Sequence, residues 1–364
     1  MSSAAEPVEL ASIRRMLEGV IPAVLCTVGT DGMPHLCFLS QAEYVDEQHV
    51  ALSFQFLNRS RQNVLATRRA ALTIDDPYTA AGVCLQLDYL RTETEGPLFE
   101  RMRAKLAGIA SHTGMDKVYQ LRGADVYRVL EARRIPGRQE LAAPRPRCDL
   151  ARALREVCEA MAACEDTAEL LDGCLDGLQR HLKIEHAMLL MLDPRSQRLV
   201  TVASRGYASS GLGSEIELGQ GVAGIAAREG VAIRIGHVTL SQAYARAVRR
   251  RTEALGLPEM AEAEIPLPGL ADPRSQMAVP LRLFGRVQGV LLVESDVDQH
   301  FSYDDEDALT VLAGQLALAL NLLQRQEAEP GRGEAATAPA GTAARRCWCA
   351  TTRSRTASFS ATTT

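Results

Sequence analysis

The stretch Leu218-Gly219-Gln220-Gly221-Val222-Ala223-Gly224-Ile225-Ala226-Ala227-Arg228-Glu229-Gly230, with Val231-Ala232-Ile233-Arg234-Ile235 after it, sets the fold problem. Glycines at Gly-x-Gly-x-x-Gly spacing open an Ala-rich, helix-forming run, and a β-branched run follows. A dinucleotide loop with this spacing needs a strand directly before the glycines and an acidic residue after the next strand. Here the polar, Gly-rich segment Ser209–Ser214 lies upstream, and His237 follows the second run. A dinucleotide site is therefore not expected.

Outward from this element, strand patterns occupy His186–Leu192, Leu199–Ala203, Val231–Ile235, Met277–Leu283 and Gly289–Glu294. Phe284-Gly285-Arg286 supplies hairpin-turn chemistry between the last two. Helical patterns precede the first strand and follow the last. In the final one, Leu309, Leu312, Leu316, Leu320 and Leu323 recur at three- and four-residue steps and form one apolar stripe. Residues 149–326 therefore read as an α+β domain, an antiparallel sheet bracketed by helices.

Residues 8–135 read as a second domain. A short amphipathic helix, Val8–Leu17, leads to strand-like runs at Ala23–Val28, Met33–Ser40 and Val50–Phe54, the first two joined by Thr30-Asp31-Gly32. Asn58-Arg59-Ser60 starts a short helix running to about Ala66. Ala70–Ile74, Gly82–Leu90 and Asp125–Leu130 read as further strands, and Pro97–Ala110 as a helix. Many short antiparallel runs with small helices imply a barrel with peripheral helices. Residues 136–148, with Pro136, Gly137, Pro144 and Pro146 among arginines, have linker composition. Residues 327–364 carry almost no periodic apolar residues and read as a disordered tail, or a frameshifted end.

The length of 364 residues fits two or three domains. A net charge of −5 argues against a general nucleic-acid binder. Nine cysteines without disulfide-framework or zinc spacing, and no signal peptide, point to reduced thiols in a cytoplasmic protein. No window is expected to reach the roughly 18 apolar residues of a membrane helix. His35 and the other histidines lack ligand-spaced partners, so no metal site is expected.

Ser60, Arg61 and Gln62 follow a strand at the start of a helix, where free N–H groups and a guanidinium favour an anion. The run from Pro22 to Leu130 resembles the pyridoxamine-phosphate-oxidase-like split barrel, in its Val24–Pro34 opening, its strand, Ser-Arg, helix, strand core, and its Gly123–Val129 strand. The resemblance implies an FMN-type site, its phosphate held by Ser60, Arg61 and Gln62, with a deazaflavin, haem or no ligand as the alternatives. Gln62 stands where that family's oxidases usually carry Lys, and Leu36–Ser40 offers no strand Arg, so oxidation of pyridoxamine phosphate is not expected. Residues Leu150–Arg325 resemble the GAF domain in order of elements and in the Gly-rich helix. Phe301, Asp305 and Glu306 match half of a cyclic-nucleotide pattern, but Ser295-Asp296 replace its Asn-Lys, and helix capping explains the acidic half equally well. The combination implies a homodimeric cytoplasmic sensor or regulator whose GAF domain reads a redox state or a small molecule not identified by the sequence. The rival reading is an FMN-dependent oxidoreductase regulated by its GAF domain. The leucine stripe is expected to extend the dimer.

Overall fold

The computed structural model describes residues 7–17, 23–39, 41–55, 59–76, 79–113, 120–135, 147–236, 269–270 and 272–328. Most of the linker, the helix cap at Asn58, His237 and the tail beyond 328 lie outside them.

The N-terminal unit begins with a 3-10 turn at Leu10–Ile13 and helix α1 (Arg14–Leu17). Strands β1 (Ala23–Val28), β2 (Pro34–Leu39), β3 (Ala42–Asp46) and β4 (His49–Phe54) follow, then α2 (Arg59–Thr67). Next come β5 (Arg69–Asp75), β6 (Gly82–Glu93), α3 (Pro97–Thr113) and β7 (Gly123–Arg134). The strands pair in the order β2-β1-β5-β6-β7-β4-β3, every pair antiparallel. Alternation decides the core: Leu72, Ile74, Val83, Leu85 and Leu87 point inward and are at most 2% exposed. Strand β3 escaped the sequence reading because Glu43 sits inside it. That carboxylate is buried and held by Arg101 (3.1 Å) and Lys105 (3.0 Å) from α3.

The second unit opens with α4 (Leu150–Ala162) and α5 (Thr167–Arg180), capped by Asp149 and Asp166. Its strands are β8 (His186–Asp193), β9 (Arg198–Arg205), β10 (Glu215–Glu217), β11 (Ile233–Ile235), β12 (Ser275–Leu283) and β13 (Arg286–Ser295), with α6 (Gly221–Glu229) between β10 and β11. Helix α7 (Tyr303–Ala328) closes the unit. The six strands run β10-β9-β8-β13-β12-β11, all antiparallel. The β12–β13 turn has positive φ at both Phe284 (49°) and Gly285 (77°), the backbone of a tight hairpin. One sheet face packs Leu189, Leu291, Val293, Met277 and Val279 against α4, α5 and α7. The opposite face packs Met188, Leu190, Val290, Leu292 and Ala278 against α6. Both faces are covered, so β13 reads as a nearly continuous apolar run.

Two expectations are corrected in α7. Leu309, Leu312, Leu316 and Leu320 are at most 4% exposed, packed in this unit's own core, so the stripe is not available as a dimer seam. Tyr303–Gln326 is also long and apolar enough, by length and composition, to cross a membrane. Small and aliphatic residues fill the gaps between the leucines and extend the apolar run around the helix. Only 33% of that apolar window is buried: the leucine stripe packs in the core, while Val311, Leu318 and Leu322 stay exposed on the rest of the helix.

Helix α3 belongs to both units. Its Leu98 and Met102 pack on Ala51, Ala124 and Val126 of the N-terminal sheet, while Ala107 joins the core around α6. Arg103 pairs with Glu229 of α6 at 2.8 Å. A Cβ on Gly108 would stand 2.6 Å from the Ile233 side chain, so the helix approaches β11 closely only because position 108 has none. A second joint stacks the Arg14 guanidinium (4.5 Å) and that of Arg234 (4.3 Å) over the ring of Tyr303.

Gly108→Val is expected to overpack the joint and lower unfolding stability by roughly 1–3 kcal/mol. Gly314→Ala, whose Cβ meets nothing within 4 Å, should instead stabilise α7 by about 0.5–1 kcal/mol. Urea denaturation of the two variants checks both signs.

Candidate functional site

Ser60, Arg61 and Gln62 lie in the first turn of α2, where successive residues point about 100° apart. Ser60 is buried and donates its Oγ hydrogen to Cys37 Sγ at 3.1 Å. Arg61 donates through Nη1 to both carboxylate oxygens of Asp125 (2.6 and 2.5 Å), and through Nη2 to Thr92 at 3.1 Å. Its guanidinium stacks on Phe54 at 3.6 Å. Thr92 also donates to Asp125, and the Tyr89 hydroxyl lies 2.7 Å from Thr92. Gln62 is exposed. The three residues do not converge on one point, and the strongest donor already holds a buried carboxylate. As they stand they do not fit an FMN phosphate, which would have to displace Asp125 from Arg61. Sequence reasoning missed this because Asp125 is 64 residues away, on β7.

The glycines of the opening stretch serve the backbone. Gly219 N–H donates to Gly224 O at 2.8 Å, and a Cβ on Gly224 would stand 2.3 Å from Glu217 O. Close approach of α6 to the chain leaving β10 therefore explains the spacing without a nucleotide. Asp305 accepts from both the N–H and the hydroxyl of Ser302 (2.7 Å each), a reciprocal cap on α7, and pairs with Arg147. Glu306 pairs with Arg234 at 3.2 Å. The acidic half of the cyclic-nucleotide pattern is thus engaged within the fold.

On the α6 face of the second sheet a polar row crosses three strands: His186 on β8, Glu294 on β13 and Gln276 on β12, in register. Glu294 is 2% exposed. It accepts from Gln276 Nε2 at 2.6 Å and from the Leu270 N–H at 2.9 Å. The Tyr207 hydroxyl is buried beside the same carboxylate without a well-formed bond. Burial raises the Glu294 carboxyl above its ordinary range; the donors from Leu270, Gln276 and Tyr207 oppose that shift. Neither Glu294 nor Gln276 stood out in the sequence. The available signal was a carboxylate at the end of the apolar run Val290–Val293, in phase with Leu292. An open groove of about 570 Å³ on the other face borders Asp166, Asp172 and Leu212, but Asp166 already caps α5. Among the described residues no three His, Cys, Asp or Glu side chains form a cluster suited to a metal ion.

The family model of the GAF domain matches residues 164–321. This part of the chain is a GAF domain. A comparison with curated protein sequences returned no match. Among solved structures, the GAF domain of an Acinetobacter phosphoenolpyruvate-protein phosphotransferase is similar at 22% identity and TM-score 0.39, over 50% of this chain and 97% of that one. A free methionine-R-sulfoxide reductase from Neisseria meningitidis, in complex with its substrate, is similar at 21% identity and TM-score 0.38, over 51% and 96%. An FMN-binding protein from Syntrophomonas wolfei subsp. wolfei is similar at 15% identity and TM-score 0.30, over 35% and 86%. These likenesses bear on neither ligand nor chemistry. The GAF match suggests a sensory or regulatory role for this part of the chain.

Asp125→Ala leaves the Arg61 guanidinium without its carboxylate and is expected to cost roughly 2–4 kcal/mol in chemical denaturation. The GAF domain should also show an acid-side weakness. Burial first, and then the charge of Arg147, lower the His300 imidazole to about 4. Because this folded value lies below the ordinary one, only the unfolded chain takes up the proton between them. The contribution of His300 is therefore complete above about pH 6.5 and lost as pH falls toward 4. The Tm difference between wild type and His300→Gln, followed from pH 7 to pH 4.5, should shift in favour of the variant.

Proposed function

We propose that this chain is a cytoplasmic sensory or regulatory protein whose GAF domain takes a small molecule and whose N-terminal unit is a flavin-type split barrel. The observation that carries the reading is the shared helix. α3 packs on the N-terminal sheet through Met102 and on the GAF helix α6 through Ala107 and Arg103. A ligand that shifts α6 must then work against α3, which gives the two units a physical means of coupling.

The sensory reading is preferred over an FMN-dependent oxidoreductase because Asp125 occupies the guanidinium that the phosphate of FMN would need. FMN would supply redox chemistry to the barrel if bound, and Ser60, Arg61 and Gln62 would be its phosphate contacts only after Asp125 yields. A homodimer is part of the proposal. On β1 and β2 the outward residues Val24, Cys26 and Val28 pair with Phe38, Leu36 and Pro34. Phe38 is 72% and Leu36 64% exposed, so apolar side chains lie together on an outer sheet face.

An absorption spectrum with mass spectrometry of the purified protein tests the cofactor. The expected result is no retained flavin, with added FMN binding wild type more weakly than Asp125→Asn. Stoichiometric flavin bleached by NAD(P)H would favour the oxidoreductase. For the dimer, Phe38→Lys should convert a dimer to a monomer in size-exclusion chromatography with light scattering.

A further inference from the structure

We infer that the His186–Glu294–Gln276 row is the recognition end of the GAF domain's ligand site, and that it takes a small organic cation with an ammonium or amidinium head. This rests on the reading of the domain as a ligand-binding module and names the class of ligand. Glu294 and Gln276 are 2% and 3% exposed, deeper than carboxylates and amides ordinarily lie. Among the described residues no Lys or Arg reaches Glu294; its hydrogen bonds come from a backbone N–H and a neutral amide, with the neutral Tyr207 hydroxyl beside it as a poorly formed third donor. A carboxylate offers about four acceptor positions, so these bonds leave acceptor capacity. Gln276 turns its Nε2 to Glu294, which leaves its own Oε1 buried with no partner among the described residues. Two neighbouring buried acceptors without a full set of donors call for a ligand that brings N–H groups, and the carboxylate favours one that brings positive charge.

The surroundings restrict how such a group arrives. The Gly269 backbone lies on one side of the carboxylate, where a Cβ would stand 2.5 Å from Oε2. Leu292, Met188 and Ala278 form the next row behind it, all apolar and at most 1% exposed. Among the described residues, the remaining side of the carboxylate is flanked by His186 and Tyr207, both half-buried, whose rings lie 5.5 Å apart. The Tyr207 ring on that side suits a cation. Among the described residues no hydrogen bond joins His186 to Glu294, so the cross-strand imidazole does not substitute for the missing donor.

The test uses the full-length protein with benzylammonium as probe and benzyl alcohol, the neutral analogue of the same shape, as control. Saturation-transfer NMR and thermal shift should show benzylammonium binding at least about tenfold more tightly, the difference expected from one charge-assisted contact. Glu294→Gln should retain its circular dichroism spectrum and bind the two probes equally. Should that variant not fold, Gln276→Leu serves in its place, with a tenfold loss expected for benzylammonium. Equal affinities in wild type, a preference that survives in Glu294→Gln, or no binding of either probe would overturn the inference. In that event, a non-basic small molecule retained through purification would leave the sensory reading standing. Failure of the probes together with no retained molecule would remove both.

Discussion

The structure depends on one packing constraint, the double burial of helix α3. Its sequence places it in the N-terminal unit, between β6 and β7, and Glu43 anchors it there through Arg101 and Lys105. Yet its small residues Ala107 and Gly108 meet the GAF helix α6 and strand β11. A larger residue at position 108 would hold the helix off Ile233, and Arg103 would lose Glu229. The Arg14–Tyr303–Arg234 stack then works at a second point, at the start of α7. With two separated joints, relative motion of the units requires breaking buried contacts rather than bending a linker.

The GAF sheet has apolar residues on both faces, and this decides what its polar residues mean. Where a half-exposed sheet tolerates a Glu on its wet side, β13 has none: Leu291 and Val293 face the helices, Leu292 and Glu294 face α6. A carboxylate at this place must be satisfied by donors or by a ligand, because desolvation costs far more than an ordinary hydrogen bond returns. In the N-terminal unit the same rule gives the opposite outcome. Asp125 is equally secluded, and Arg61 meets it completely, through both oxygens and with Thr92 as a third partner. One buried carboxylate is closed by the fold and the other retains acceptor capacity.

Much of this was legible in the amino-acid sequence, for identifiable reasons. Strands β1, β5, β8 and β12 are long, apolar and bounded by turn residues, and the turn at Phe284-Gly285 announces its hairpin. The Gly-rich helix could be placed through its resemblance to the GAF domain, and in the structure its glycines answer to backbone geometry local to the stretch. Strands β3 and β10 were missed: β3 carries the buried Glu43, and β10 is three residues long with two exposed glutamates. Neither Arg61–Asp125 nor Glu294–Gln276 was visible, since each joins residues on distant strands through pairings that only the folded register defines. The leucine stripe was seen correctly as a stripe. Its partner was misjudged because periodicity shows that a face is buried and not what buries it.

The central claim, that α3 makes one cooperative body of the two units, is tested most directly by native-state hydrogen exchange on the full chain. Amides of α3, α6 and β11 should open in a single transition with a common free energy and denaturant dependence. If α6 and β11 exchange independently of α3, while α3 exchanges with β4 and β7 alone, the joint does not couple the units and the account fails.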